Sequence, residues 1–166
     1  KDAVPDDLIE ENTKWRPDRP VQMLVSWDDY LYAQKPADVS IVFHIALMDE
    51  EQYPDRCWFS DNFNDATAIF VRAYPERLIG FMSLHPQTPG CLEELERCRT
   101  DLGLKGVKLG ANYQIFDPLD PRALAIYAEA ERQGLPLILH QGTSPVREAP
   151  IRYADPLLID EIAIRY

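Results

Sequence analysis

Cysteine and histidine are scarce, three of each in 166 residues. Cys57 stands alone, and no CxxC spacing offers a zinc or redox pair. Cys91 and Cys98 share an apolar helical stripe with Leu95 and Leu102, at i, i+4, i+7 and i+11, and read as two reduced core thiols. Reduced thiols fit a cytoplasmic location. No serine or cysteine has a histidine at a recognisable spacing, so triad chemistry is unsupported. No GxGxxG or GxxxxGKS/T follows any predicted strand, which leaves nucleotide-binding α/β folds without support. Positive charge is also short: 17 Lys and Arg against 28 Asp and Glu give a formal net charge of −11. A surface of that sign repels nucleic acid and anionic lipid. No apolar run reaches the roughly 18 residues of a membrane helix. No apolar leader opens the chain, and a start at Lys1 instead of Met leads us to expect sequence upstream.

What is present is a rhythm. Residues 1–25 are loop-rich, with charge and proline in VPDD and EENTKWRPDRP. Ser26 and Asp29 resemble a capping box for a short helix at Trp27–Gln34. Residues 38–166 then repeat strand, loop and helix. The apolar run Val39–Leu47 predicts a strand buried on both faces. A helix is expected over Asp65–Tyr74, its inward face Ala66, Ile69, Phe70 and Ala73. Leu78–Leu84 is the next strand. Thr88 is expected to cap a helix with Pro89 at its first position, ended by Gly103. Leu104–Ala111 is a strand. Asp120–Pro121 opens a helix with Ala123, Ile126, Tyr127 and Ala130 inward and Gly134 closing it. Leu135–His140 is a strand, and Asp155–Pro156 starts a helix running to Tyr166. Such alternation means an α/β protein with parallel strands and right-handed crossovers. Periodicity alone does not choose between an open sheet and a closed barrel.

In either arrangement chemistry gathers where strands end. His140 ends the strand PLILH. Alternation puts Leu137 and Leu139 on one face and Ile138 and His140 on the other. At a strand mouth its imidazole is suited to bind a divalent ion or to hydrogen-bond a carbonyl. His44, inside an apolar strand, reads as a core histidine. His85 follows a strand and precedes Pro86, which makes it a pocket-lining candidate. Lys108 shares a face with Gly106 and Gly110, so small neighbours leave room for its long side chain. Three roles stay open for it: holding a substrate carboxylate, carboxylation between two metals, or an ion pair with an interior acid. Asn112 and Gln114, just past this strand, are candidate hydrogen-bond donors to a substrate.

The stretches YPERLIGFMSLHPQ and LKGVKLGANYQIFDPLDPRALAIYAEAERQGLPLILHQGTS resemble the amidohydrolase superfamily. Within it they resemble the branch of metal-dependent hydrolases and decarboxylases that includes aminocarboxymuconate-semialdehyde decarboxylase. The resemblance implies a partial (β/α)8 barrel, about strands two to five with their helices, since a complete barrel takes about 250 residues. It implies a divalent metal, zinc by expectation, held by an H-x-H pair on strand one, a His ending strand five and an Asp ending strand eight. His140 corresponds to the fifth-strand ligand. No H-x-H occurs in the chain, and EIAIRY precedes the expected sixth strand, so no catalytic residue is assigned. The expected function is metal-dependent hydrolysis of a small carboxylate-bearing or cyclic substrate. Decarboxylation, hydration and a non-catalytic half-barrel are the alternatives. Lys108, His85 and Asn112 are expected to bind substrate and His140 the metal. The expected partners are the small-molecule substrate and, as an option, further copies of the chain, with neither nucleic acid nor membrane.

Overall fold

The computed structural model describes residues 37–46, 62–144 and 149–166. The expected helix at Trp27–Gln34, the loop-rich segment 1–25 and Cys57 lie outside these residues. The chain divides into two units, Lys1–Ser40 and Ile41–Tyr166. Apart from Ser40, all the described helices and strands lie in the second unit.

Five short strands and four helices are described: β1 (Ser40–Val42), α1 (Phe63–Ala73), β2 (Leu78–Gly80), β3 (Met82–Ser83), α2 (Cys91–Thr100), β4 (Val107–Leu109), α3 (Pro121–Gln133), β5 (Leu137–Leu139) and α4 (Pro156–Arg165), with a 3-10 turn at Ile151–Ala154 before α4. β1 pairs with β2, and β3, β4 and β5 form a parallel ladder in chain order. The expected strand Leu78–Leu84 is thus broken at Phe81. Phe81 N–H donates to Val42 O, while Met82 N–H donates to Gly106 O and Lys105 N–H to Gly80 O. The break therefore separates two ladders without interrupting the succession of strands. Neighbours follow chain order with no reversal, as in an arc of a barrel wall; a doubly wound sheet reverses at a switch point.

One face of this arc carries the core. Met82, Leu84, Val107 and Leu109 pack in one cluster with Ala68 of α1, Leu95 and Cys98 of α2, Ala123, Ile126, Tyr127 and Ala130 of α3, and Ile162 of α4. Of the cysteine stripe, Leu95 and Cys98 are core as read, while Cys91 and Leu102 are half-buried against it. The helices thus cover one face, and the alternate side chains point the other way. On that opposite face Ile41, Phe43 and Ile79 are exposed. The expectation that the first strand is buried on both faces is therefore corrected. One face carries His44, which meets α1, while the other has no facing wall among the described residues.

Two helices differ from expectation. α1 starts at Phe63 because the Asn62 side chain accepts from the N–H groups of Asn64 and Asp65. Its buried residues are Asn64, Ala66, Thr67 and Ala68, whereas Ile69 is exposed. Polar groups turn inward here because each finds a partner, which removes the penalty for burying them. The Asn64 amide brackets the Ser83 backbone, accepting from its N–H at 2.8 Å and donating to its carbonyl at 3.1 Å. α2 begins at Cys91, after Gly90 at φ 75°, without a side-chain cap. Thr88 N–H instead closes a turn onto His85 O. α3 matches its reading: the Asp120 carboxylate accepts from Arg122 N–H, Pro121 leads, and Gly134 closes at φ 65°.

Candidate active site at the mouth of β4 and β5

Parity places Gly106, Lys108 and Gly110 on the face opposite the helices. A Cβ at Gly106 would strike the Phe81 ring, and one at Gly110 would strike the Tyr113 ring. Close aromatic cover over two glycines leaves Lys108 between rings. Its Nζ lies 5.6 Å from the ring centroids of both Phe43 and Tyr113 and donates to Leu109 O at 2.9 Å. Lys108 is 5% exposed, and no carboxylate pairs with it among the described residues. Burial of the ammonium lowers its pKa to about 8. Two faces of aromatic quadrupole offset part of that desolvation. The expected alternative of an interior ion pair is absent among the described residues.

His140 follows β5, with its N–H on Leu109 O at 2.9 Å. Its Nε2 lies 3.1 Å from Thr143 O, and its ring centroid is 5.1 Å from that of Tyr113. A carbonyl only accepts, so Nε2 carries a hydrogen, and in the neutral ring Nδ1 keeps the lone pair. Tyr113 thus touches both Lys108 and His140. Burial raises its phenol pKa to about 12, so the hydroxyl stays protonated at neutral pH.

The other expected residues frame this mouth. Asn112 is fully buried: its Nδ2 donates to Gly142 O at 3.3 Å, and its Oδ1 accepts from Tyr113 N–H at 2.9 Å. His85 Nε2 donates to Gln114 O at 2.8 Å, and His85 Nδ1 accepts from Gln87 N–H at 3.2 Å. Both ring nitrogens of His85 are therefore spent within the chain. Burial, opposed by its bond to Gln114, lowers the pKa of this histidine. His44 turns toward α1, its Nδ1 2.9 Å from Thr67 Oγ1, and burial lowers its pKa. Lys108, Tyr113 and His140 come together, while His44 and His85 point elsewhere. Tyr113 and Phe43 were missed in the sequence. Gly110 three residues before Tyr113 was the available signal for the first.

A metal needs more than this. Among the described residues, no group of three His, Cys, Asp or Glu side chains could hold an ion. His140 is a single donor, so these residues do not by themselves fit a metal site. Also among the described residues, no helix is long and apolar enough to cross a membrane.

The family model described as Amidohydrolase matches residues 13–166. A 2-amino-3-carboxymuconate-6-semialdehyde decarboxylase of Dictyostelium discoideum is 33% identical over 97 residues, covering 58% of this chain and 27% of that protein. An uncharacterised TIM-barrel protein of Bordetella bronchiseptica superposes with a TM-score of 0.67 at 19% identity, over 97% of this chain and 56% of that one. A 5-carboxyvanillate decarboxylase of Novosphingobium aromaticivorans, solved with bound manganese and 3-methoxy-4-hydroxy-5-nitrobenzoic acid, gives a TM-score of 0.56 at 21% identity, over 92% of this chain and 43% of that one. The chain therefore spans roughly half, or less, of these proteins, and its architecture is a partial (β/α)8 barrel.

Proposed function

From the premise that this chain belongs to the amidohydrolase family, we propose that the mouth of β4 and β5 is one side of an active site for a small carboxylate-bearing substrate. The observation that carries this reading is Lys108, a buried cation between two aromatic rings with no acidic partner among the described residues. An ammonium in low-dielectric surroundings attracts a carboxylate more strongly than one in water. Bringing in that anion favours the charged form of Lys108 and raises its pKa again. Tyr113 supplies a wall and a neutral hydroxyl beside the same position.

His140 is proposed as one metal ligand through Nδ1, with Thr143 O orienting the ring as a second partner often does. Its remaining co-ligands would come from residues not described here. The metal is a divalent ion, with zinc kept as the expectation and manganese reported only for the Novosphingobium enzyme.

Between the activities expected from the sequence, decarboxylation is the better-supported reading. The Dictyostelium relative, 33% identical in the matched region, bears the name of a decarboxylase. Hydrolysis, placed first from sequence alone, is the second reading. The test uses a protein that carries this chain together with the remaining barrel strands. It is incubated with aromatic and dienoic carboxylates while carbon dioxide release is followed. Release that is lost in Lys108→Met supports the reading. Cleavage of amides or lactones without carbon dioxide would replace it with hydrolysis.

A further inference from the structure

Gln114 is a candidate substrate donor by sequence, but its side-chain donors are already used. An amide side chain has two N–H donors. Both of these go to backbone carbonyls, Ala46 O at 2.5 Å and Leu84 O at 2.8 Å. Its Oε1 accepts from Gly110 N–H at 2.7 Å. Its backbone N–H donates to Gly110 O at 2.8 Å, and its backbone carbonyl accepts from His85 Nε2–H at 2.8 Å. One 3%-exposed residue thus joins the segments that follow β1, β3 and β4. The next residue, Ile115, sits at φ 56°, a region a β-branched side chain rarely occupies. The turn holds this conformation, with Phe116 N–H on Ala111 O at 3.0 Å.

We propose that Gln114 is a positioning residue: by clasping Gly110 from both sides, it holds the Tyr113 ring over Gly110 and against Lys108. The coupling is steric. No Cβ fits between Gly110 and Tyr113, so the ring rests on the Gly110 backbone, and the place of that backbone is set by the Gln114 amide. Releasing the clasp lets Gly110 and the ring drift and admits water to the Lys108 ammonium. His85 supports the same turn through its Nε2–H, which donates to Gln114 O at 2.8 Å. The proposal rests on reading this mouth as the site. It makes Gln114 act through Tyr113, without touching substrate.

The test follows the Lys108 Nζ by 15N NMR over a pH titration of the ligand-free full chain, with Lys108→Arg giving the assignment. Two neutral variants are compared with the parent. Gln114→Met removes the clasp. Gly110→Ala displaces the ring directly and leaves the Gln114 bonds to Ala46 and Leu84 in place. The Lys108 midpoint, about 8 in the parent, is expected to move toward the ordinary lysine value of about 10.4 in both variants. That is a change in proton affinity of about tenfold or more. Circular dichroism is expected to stay folded. A Gln114→Met chain that keeps the parent midpoint, or that loses its folded state, makes Gln114 a structural strap alone and overturns the proposal. Carboxylate binding does not enter this readout. Failure here leaves the substrate role of Lys108 standing, and failure of that role leaves the clasp standing.

Discussion

The Lys108 ammonium and the His140 amide donate to the same acceptor, the carbonyl oxygen of Leu109, at 2.9 Å each. β4 and β5 are in register there, with Lys108 opposite Ile138 and Leu109 opposite Leu139. A side chain on one strand and a backbone amide after the next are thereby fixed to one atom. The Lys108 ammonium and the start of the loop after β5 are consequently tied to the parallel ladder.

Lys108→Met should not destabilise the fold. A group whose folded pKa is lowered from 10.5 to about 8 is costly to keep charged and buried. Between about 8 and 10.4 the unfolded chain holds more protons than the folded one, so the lysine makes stability rise with pH across that window. Below it the lysine costs up to about 3 kcal/mol. Urea unfolding at pH 7 is therefore expected to show a variant as stable as the parent or more so, with the gap closing by pH 10. A clear loss at pH 7 would reveal a structural ion pair.

His140→Ala is expected to lower the metal content of a protein bearing the complete barrel, because a catalytic metal held by about three side chains would lose one. Elemental analysis after dialysis reads this directly. Unchanged metal removes His140 from the ligand set.

Acid should loosen the contact between α1 and α2. Burial would raise the Glu94 pKa, but hydrogen bonds from Arg97, Asn64 and Cys98, with the Arg97 charge, outweigh it and hold the carboxyl at about 2. The Arg97 guanidinium reaches Asp65 and Glu94, each at 2.7 Å. A depressed carboxyl contributes stability above its unfolded pKa of about 4.3, and loses it as pH falls from there to about 2. Glu94→Gln should flatten the stability profile in that window by about 1–3 kcal/mol. A profile as steep as the parent's would place the acid sensitivity elsewhere.

Parts of this were legible in the residues. Asp120–Pro121 and Gly134 marked both ends of α3, because cap chemistry is local. Gly106 and Gly110 betrayed the direction of Lys108, because strand alternation is local as well. The inward face of α1 was not legible: Asn64 and Thr67 look solvent-facing until Ser83 and His44 arrive from distant strands. The start of α2 at Gly90 depended on a turn closing onto His85. Tyr113 joined the site through a contact with Gly110 that hydropathy does not register. Local rules wrote the elements, while long-range partners decided which polar groups turned inward.

The 166 residues alone should be inactive and marginally stable as a monomer. Ile41, Phe43 and Ile79 are exposed on the face away from the helices, and β1 and β5 close no ring among the described residues. At about 25 cal/mol per Å2, such exposed side chains forfeit several kcal/mol of a typical 5–15. Analytical ultracentrifugation should show association, or urea denaturation a broad unfolding transition. A sharp, monomeric transition with turnover would contradict this.

The most direct measurement is the titration of Lys108 itself, followed at Nζ by 15N NMR with and without benzoate. The account predicts a midpoint near 8 in the free protein, and a rise when benzoate binds and supplies a negative partner. A midpoint near the ordinary value of about 10.4 that benzoate does not move would contradict it.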